Sequence, residues 1–244
     1  CCAGSRLLVQ ESIEERFIAK LKKRMATLRV GDPLDKSVDI GALVAPVQVE
    51  RIKDLMQRGT KEGAIIYEPD GDLPGGTCFL KPVLVTNVSP ANTLVAEEIF
   101  GPVLVAMSFR TPEEAVALAN NTKYGLAATI WSENINLALD IAPKIKAGVV
   151  WINGTNNFDA AVGFGGYKES GFGREGGREG MAVYLKPVWE KALKAAAPSA
   201  APAKAGASIS QHKPNPLDAT HLDQTAKMYI GGKQARPDSG YSRP

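Results

Sequence analysis

Apolar residues in this chain follow two rhythms. Short, almost unbroken runs occupy Leu7-Leu8-Val9 and residues 64–67, 79–85, 103–107, 126–131 and 148–153. Runs of that length, bounded by Gly, Pro and Asn, read as strands. Elsewhere the spacing is helical. Ile13, Phe17, Leu21, Met25 and Leu28 recur near one turn apart, with Lys20, Lys22, Lys23 and Arg24 outside them, which predicts an amphipathic helix. Ser12-Ile13-Glu14-Glu15 supplies a capping box at its start and Gly31-Asp32-Pro33 a stop. Pro46 opens a second helix with Val49, Ile52 and Leu55 inward and Gly63 at its end. Thr111-Pro112-Glu113-Glu114 is another capping box and starts a helix to about residue 120; a further helix is expected over 134–146. Pro82 lies inside the 79–85 run, which predicts an edge or bent strand there. Strands alternating with helices argue an α/β domain with a largely parallel sheet flanked by helices.

The pattern changes after residue 162. Residues 163–180 are dense in glycine, and a short helix is expected after them. Residues 195–207 are almost entirely Ala, Pro, Lys and Ser, the composition of a linker. Apolar order resumes at Lys227-Met228-Tyr229-Ile230-Gly231-Gly232-Lys233, which reads as a terminal hairpin. The expected organisation is a domain over 1–193, a disordered linker over 194–226, and the start of a second module over 227–244. A lone hairpin is marginal in water, so the linker and hairpin are expected to be mobile in this chain.

Composition narrows the function. With 244 residues, 44% hydrophobic and 23% charged, the chain can bury a real core. A net charge of +3 without a basic stripe argues against nucleic acid as a partner. No apolar run is long enough to span a membrane. The chain has 3 cysteines, of which Cys1 and Cys2 are adjacent, so a disulfide framework is not expected and a reducing, cytoplasmic setting is. His212 and His221 both fall in the pattern-poor tail. Residues 1–211 therefore hold no imidazole to serve a Cys-His or Ser-His-Asp site, and no zinc spacing, so no metal is expected.

The candidate chemistry lies at Cys1-Cys2-Ala3-Gly4-Ser5-Arg6. A thiol is the best ordinary nucleophile at neutral pH once its proton is removed. Read alone, this start fits an N-terminal nucleophile hydrolase, an acylated lipoprotein, a larger enzyme cut before its nucleophile, or a pair of buried structural cysteines. Gly171-Phe172-Gly173-Arg174-Glu175-Gly176 matches the dinucleotide fingerprint formally. Its context fails: a polar turn precedes it where a strand is needed, and the later acidic residue is absent from the alanine-rich stretch.

Four motifs taken in order are more specific. Cys1 with Ala3 to Arg6, Glu97-Glu98-Ile99-Phe100-Gly101-Pro102, Asn120-Asn121 with Tyr124-Gly125-Leu126, and the Phe164-Gly165-Gly166 stretch through Lys168, Ser170, Gly171, Gly173, Arg174 and Glu175 together resemble the aldehyde dehydrogenase superfamily. The resemblance covers residues 1 to about 192. It departs at Gly163, where the family usually carries Pro. It implies NAD(P)-dependent oxidation of an aldehyde to a carboxylic acid through a Cys thiohemiacetal and thioester, with NAD or NADP as cofactor. It places the nucleophile at Cys1 and implies that Glu175 is an inner acid serving the deacylating water. Glu98 would take the cofactor ribose, Phe100 would pack near the nicotinamide, and Phe158 and Phe164 would line the substrate tunnel. In this family the dinucleotide-binding half, the oxyanion Asn and the water-activating Glu precede the nucleophile, so the chain is expected to be the catalytic half of a longer, tandem protein. Residues 187–193 resemble the strand that pairs subunits, implying a homo-oligomer. The competing expectation is a non-catalytic module of the same family used for assembly.

Overall fold

The computed structural model describes residues 2–186, Val188, and two short strands at 228–230 and 233–235. The chain divides into two units, Cys1–Glu190 and Lys191–Pro244.

The first unit is built on a mixed four-stranded sheet. Its strands are β1 (Arg6–Gln10), β2 (Ile65–Tyr67), β3 (Val83–Thr86) and β4 (Val103–Phe109), in the order β1-β4-β3-β2. β1 and β3 both run parallel to β4, and β2 runs antiparallel to β3. Alternate residues explain the unbroken apolar runs. On one face Val83, Val85, Val103, Val105 and Met107 pack with Ile52 and Leu55 of α2 (Pro46–Lys61) and with Leu94 and Val95 of α3 (Thr93–Ala96). On the other, Leu84 and Ala106 pack with Met25 and Leu21 of α1 (Glu14–Met25). A strand covered on both faces is apolar at every position.

Three local expectations are corrected. The Ser12–Glu15 capping box does not form. Residues Glu11–Ile13 make a 3₁₀ turn that runs straight into α1, and Ile13 caps the helix without a side-chain bond. The inward face of α1 then falls on Ile18, Leu21 and Met25, followed by Leu28 just past the helix end, leaving Ile13 and Phe17 each 40% exposed. Pro82 does not mark an edge. β3 begins just after it and lies between β2 and β4, so the missing N–H falls outside the ladder. The Thr111 box does form: Thr111 Oγ1 accepts the Glu114 N–H at 3.2 Å, at the start of α4 (Pro112–Asn120). Glu114 reaches one residue further back than expected, to the Arg110 N–H at 2.9 Å.

The remaining strands do not extend this sheet. β5 (Tyr124–Gly125) pairs antiparallel with β9 (Tyr167–Lys168), and β8 (Phe164–Gly165) antiparallel with β10 (Arg174–Glu175). β6 (Ala127–Ile130) and β7 (Val149–Ile152) form a separate parallel pair. α5 (Ile135–Ile141) joins them; it ends earlier than expected, because a 3₁₀ turn over Ala142–Lys144 replaces its last turn at Pro143. α6 (Gly177–Ala182) follows the glycine-rich run. In the second unit β11 (Met228–Ile230) and β12 (Lys233–Ala235) pair antiparallel, as expected of a hairpin. The expected linker at 194–226 lies outside the described residues, as do residues 187–193 apart from Val188, which is exposed. No helix among the described residues is long and apolar enough to cross a membrane.

Candidate active site

Because β1 and β4 are parallel neighbours, the segments that lead into them lie at the same end of the sheet. Residues 2–5 precede β1, and the Glu97-Glu98-Ile99-Phe100-Gly101-Pro102 loop precedes β4. Cys1 lies outside the described residues. Cys2 is half-buried and free. The small residues after it make a tight turn, with the Ser5 N–H donating to Ala3 O at 2.8 Å, and Ser5 O accepts the Val105 N–H at 3.0 Å.

The acidic loop is held by main-chain contacts. Gln48 Nε2 donates to Ile99 O and Phe100 O, both at 3.0 Å. Arg51 Nη1 donates to Ile99 O at 3.0 Å and Nη2 to Glu98 O at 2.9 Å. Two residues one turn apart on α2 thus grip three consecutive carbonyls. The grip has a load to bear: Phe100 has φ +58, a left-handed conformation that costs a non-glycine residue about 1–3 kcal/mol. It leaves Glu98 exposed and the Phe100 ring 60% exposed. Glu97 turns the other way and pairs with Lys123 at 3.3 Å, which holds the lysine ammonium above its usual range. A cleft of about 370 Å³ beside this pair is lined by Pro90, Ala96, Glu97, Asn120, Asn121, Thr122 and Lys123, and by none of the five predicted site residues that are described. Replacing Gln48 by Leu and Arg51 by Met together is expected to speed amide hydrogen exchange over residues 97–102 by about 10–100-fold. β3 amides should be unaffected; unchanged exchange in the loop would show that the grip does not hold it.

The other predicted residues gather in the glycine-rich segment. Phe158 and Phe164 meet edge-to-face with ring centres 5.1 Å apart, and Trp151 of β7 joins both, at 5.6 Å from Phe158 and 6.4 Å from Phe164. Trp151 Nε1 donates to Asn157 O at 3.1 Å, which fixes the indole against the loop carrying Phe158. The sequence reading missed Trp151; its position at the end of an apolar strand just before that loop was the available signal. Glu175 is exposed and stands opposite Phe164 in the β8–β10 ladder. The formal dinucleotide fingerprint contains strand β10 within it, and Arg174 Nη1 ties its turn down through Gly166 O at 2.9 Å, Phe172 O at 3.1 Å and Gly173 O at 3.0 Å. Gly163, the family departure, has no left-handed backbone, and a Cβ there would stand 3.1 Å from the tip of Glu179. The described residues contain no cluster of three His, Cys, Asp or Glu suited to a metal.

Many other motif residues bond to backbone. Asn120 Nδ2 donates to Lys144 O at 2.9 Å, and its Oδ1 accepts the Lys146 N–H at 2.7 Å. Ser170 Oγ accepts the Gly125 N–H at 3.0 Å. Asn120 thus ties the end of α4 to the segment before β7, and Ser170 ties the glycine-rich segment to β5.

These loops on a mixed sheet covered by helices on both faces define an α/β module. The chain belongs to the aldehyde dehydrogenase family, whose sequence profile matches residues 1–189. It is 43% identical over 187 residues to an aldehyde dehydrogenase of Davidiella tassiana, covering 76% of this chain and 38% of that protein. It is 41% identical over 191 residues to betaine aldehyde dehydrogenase 2 of Rhizobium meliloti, covering 78% and 40%. Among solved structures it is similar to betaine aldehyde dehydrogenase of Staphylococcus aureus in complex with NAD+, with a TM-score of 0.73 and 38% identity over 76% of this chain and 38% of that one. The chain thus spans about two fifths of the length of these relatives.

Proposed function

We propose that the protein carrying this chain oxidises an aldehyde to a carboxylic acid, with NAD or NADP as cofactor and Cys1 as nucleophile. The observation that carries the reading is that the segment after Cys1 and the gripped loop bearing Glu98 and Phe100 lead into neighbouring parallel strands, and so lie at the same end of the sheet, in a chain that matches the family over residues 1–189. The residues present fit a nicotinamide cofactor. Glu98 offers an exposed carboxylate, which suits paired ribose hydroxyls as an acceptor, and Phe100 offers an exposed ring for the nicotinamide end. When bound, the cofactor supplies the hydride acceptor.

The chain's own residues take the following parts. The Cys1 thiolate adds to the aldehyde carbonyl and gives a thiohemiacetal. A backbone N–H of the cysteine segment helps to hold the oxyanion. After oxidation the acyl group remains on the Cys1 sulfur as a thioester, and water releases the acid, with Glu175 passing the proton onward. Trp151, Phe158 and Phe164 form the apolar wall that admits the substrate, with Trp151 added to the two residues chosen from sequence. The hairpin β11–β12 supports reading residues 227–244 as the start of a second module of the same family, after a linker at 194–226.

The test is an assay of the purified longer protein with simple aldehydes and either cofactor. One carboxylic acid should form for each reduced nicotinamide. Folded protein that binds the cofactor yet forms no acid from any aldehyde would favour the non-catalytic assembly role.

A further inference from the structure

Arg6 closes the cysteine motif and opens β1. β1 lies at the sheet edge: among the described residues it pairs with β4 and with no other strand. Its ladder with β4 starts at Arg6–Val105, so the cysteine segment hangs beyond the last registered pair. Strand ends at an edge open most readily. A second anchor is therefore needed if the segment is to keep one place.

The Arg6 side chain supplies it from another direction. Its Nη1 donates to Leu118 O at 3.3 Å and its Nη2 to Ala119 O at 2.9 Å, in the last turn of α4. These carbonyls lie in the last turn, at the negative end of the helix dipole, where Leu118 O also accepts the Asn121 N–H at 3.2 Å. Lys168 occupies the same helix end, with Nζ donating to Asn120 O at 3.0 Å and Thr122 O at 2.8 Å. Lys168 has φ +54, so its backbone is held in a left-handed turn where this tether begins. One helix terminus thus receives a cation from the cysteine motif and another from the glycine-rich segment that carries Phe164.

Neither cation takes part in the ion pairs found among the described residues. Burial alone pushes the Arg6 guanidinium below its usual range. A half-buried cation without a carboxylate is a poor choice for stability compared with an apolar side chain. What a planar guanidinium adds is direction, through two donors fixed relative to each other.

We propose that Arg6 is a positioning residue that sets the place of the cysteine segment, with the α4 terminus as its anchor and Lys168 tying that same terminus to the glycine-rich segment. Its catalytic consequence rests on the reading of Cys1 as nucleophile; the tether does not.

The test uses the 244-residue chain, with Arg6→Met and Arg6→Lys. Alkylation by iodoacetamide is followed across pH, peptide by peptide. Cys78 is the internal control, being half-buried on a loop whose own carbonyl accepts the Leu43 N–H at 2.7 Å. Arg6→Met is expected to change the alkylation profile of the Cys1-Cys2 peptide by about tenfold, and Arg6→Lys, which keeps one donor, by about threefold. Cys78 should react as before in both. An unchanged Cys1-Cys2 profile would overturn the proposal. So would equal changes at Cys78 in both variants, because Arg6 would then be supporting the whole fold rather than the segment. Neither aldehyde nor cofactor enters the assay, so its result stands apart from that of the oxidation assay.

Discussion

Cys1→Ser in the longer protein is expected to lower aldehyde oxidation by about 10³-fold or more, whereas Cys2→Ser should stay within about threefold of the parent. The contrast follows from what surrounds the two thiols. A serine hydroxyl attacks a carbonyl only when a base removes its proton, and residues 1–211 hold no histidine to do so. A thiol loses its proton near neutral pH with far less help. Cys2 is half-buried just before the turn that Ser5 closes onto Ala3, and the proposed reaction gives its thiol no part. The check pairs kcat/KM, read from reduced nicotinamide, with mass spectrometry of the acylated enzyme. The acyl mass should sit on the Cys1 peptide and vanish in Cys1→Ser. Full activity in Cys1→Ser, or acylation retained in it at Cys2, would remove Cys1 from the mechanism.

The strands were legible because β3 and β4 are covered on both faces. Leu84 and Ala106 point to one helix layer, and Val83, Val85, Val103 and Val105 to the other, so the runs 83–85 and 103–107 are apolar throughout. Their order was not legible, since pairing joins segments far apart in the chain. The helix face of α1 was misread by its start. Ile18, Leu21, Met25 and Leu28 are spaced three, four and three residues apart, but the 3₁₀ turn at Glu11–Ile13 moved the beginning of the helix and left Ile13 and Phe17 off that face. The candidate site divides the same way. Phe158 and Phe164 could be named from motif likeness, and the structure brings them together. Arg6, Gln48, Arg51 and Lys168 were invisible as site-builders, although Arg6 and Lys168 stood inside named motifs. Each bonds to main-chain carbonyls. A carbonyl belongs to every residue, so such a bond leaves no partner type to find in the sequence.

The glycines of the last motif, and Gly148 packed against them, show the same physics from the side of packing and carry the largest expected effect on stability. Gly148→Ala is expected to destabilise the first unit by about 3 kcal/mol or more. Gly148 leads into β7, and its N–H donates to Gly125 O at 3.0 Å, which fixes its place beside β5. A Cβ added there would run into the carbonyl of Gly165 and stand 2.9 Å from the Gly166 Cα. Both obstacles are backbone, so no side chain can turn aside to relieve them. The reason is crowding rather than torsion, because the Gly148 φ is not left-handed. Gly165 is pressed in turn, since its own Cβ would meet the carbonyl of Gly173. Three stretches of main chain therefore stack where β7, β8 and the turn before β10 meet. Forcing them apart moves Phe164 relative to Trp151, so the unfolding midpoint in urea should fall and the tryptophan emission of the folded protein should shift with it. Gly173→Ala is the matched control from the same segment: its Cβ would meet nothing within 4 Å and its φ is not left-handed. That substitution should cost no more than about 0.5 kcal/mol. Equal urea midpoints for the two variants would show that the stacked backbone yields without strain and that close approach is not what these glycines are for.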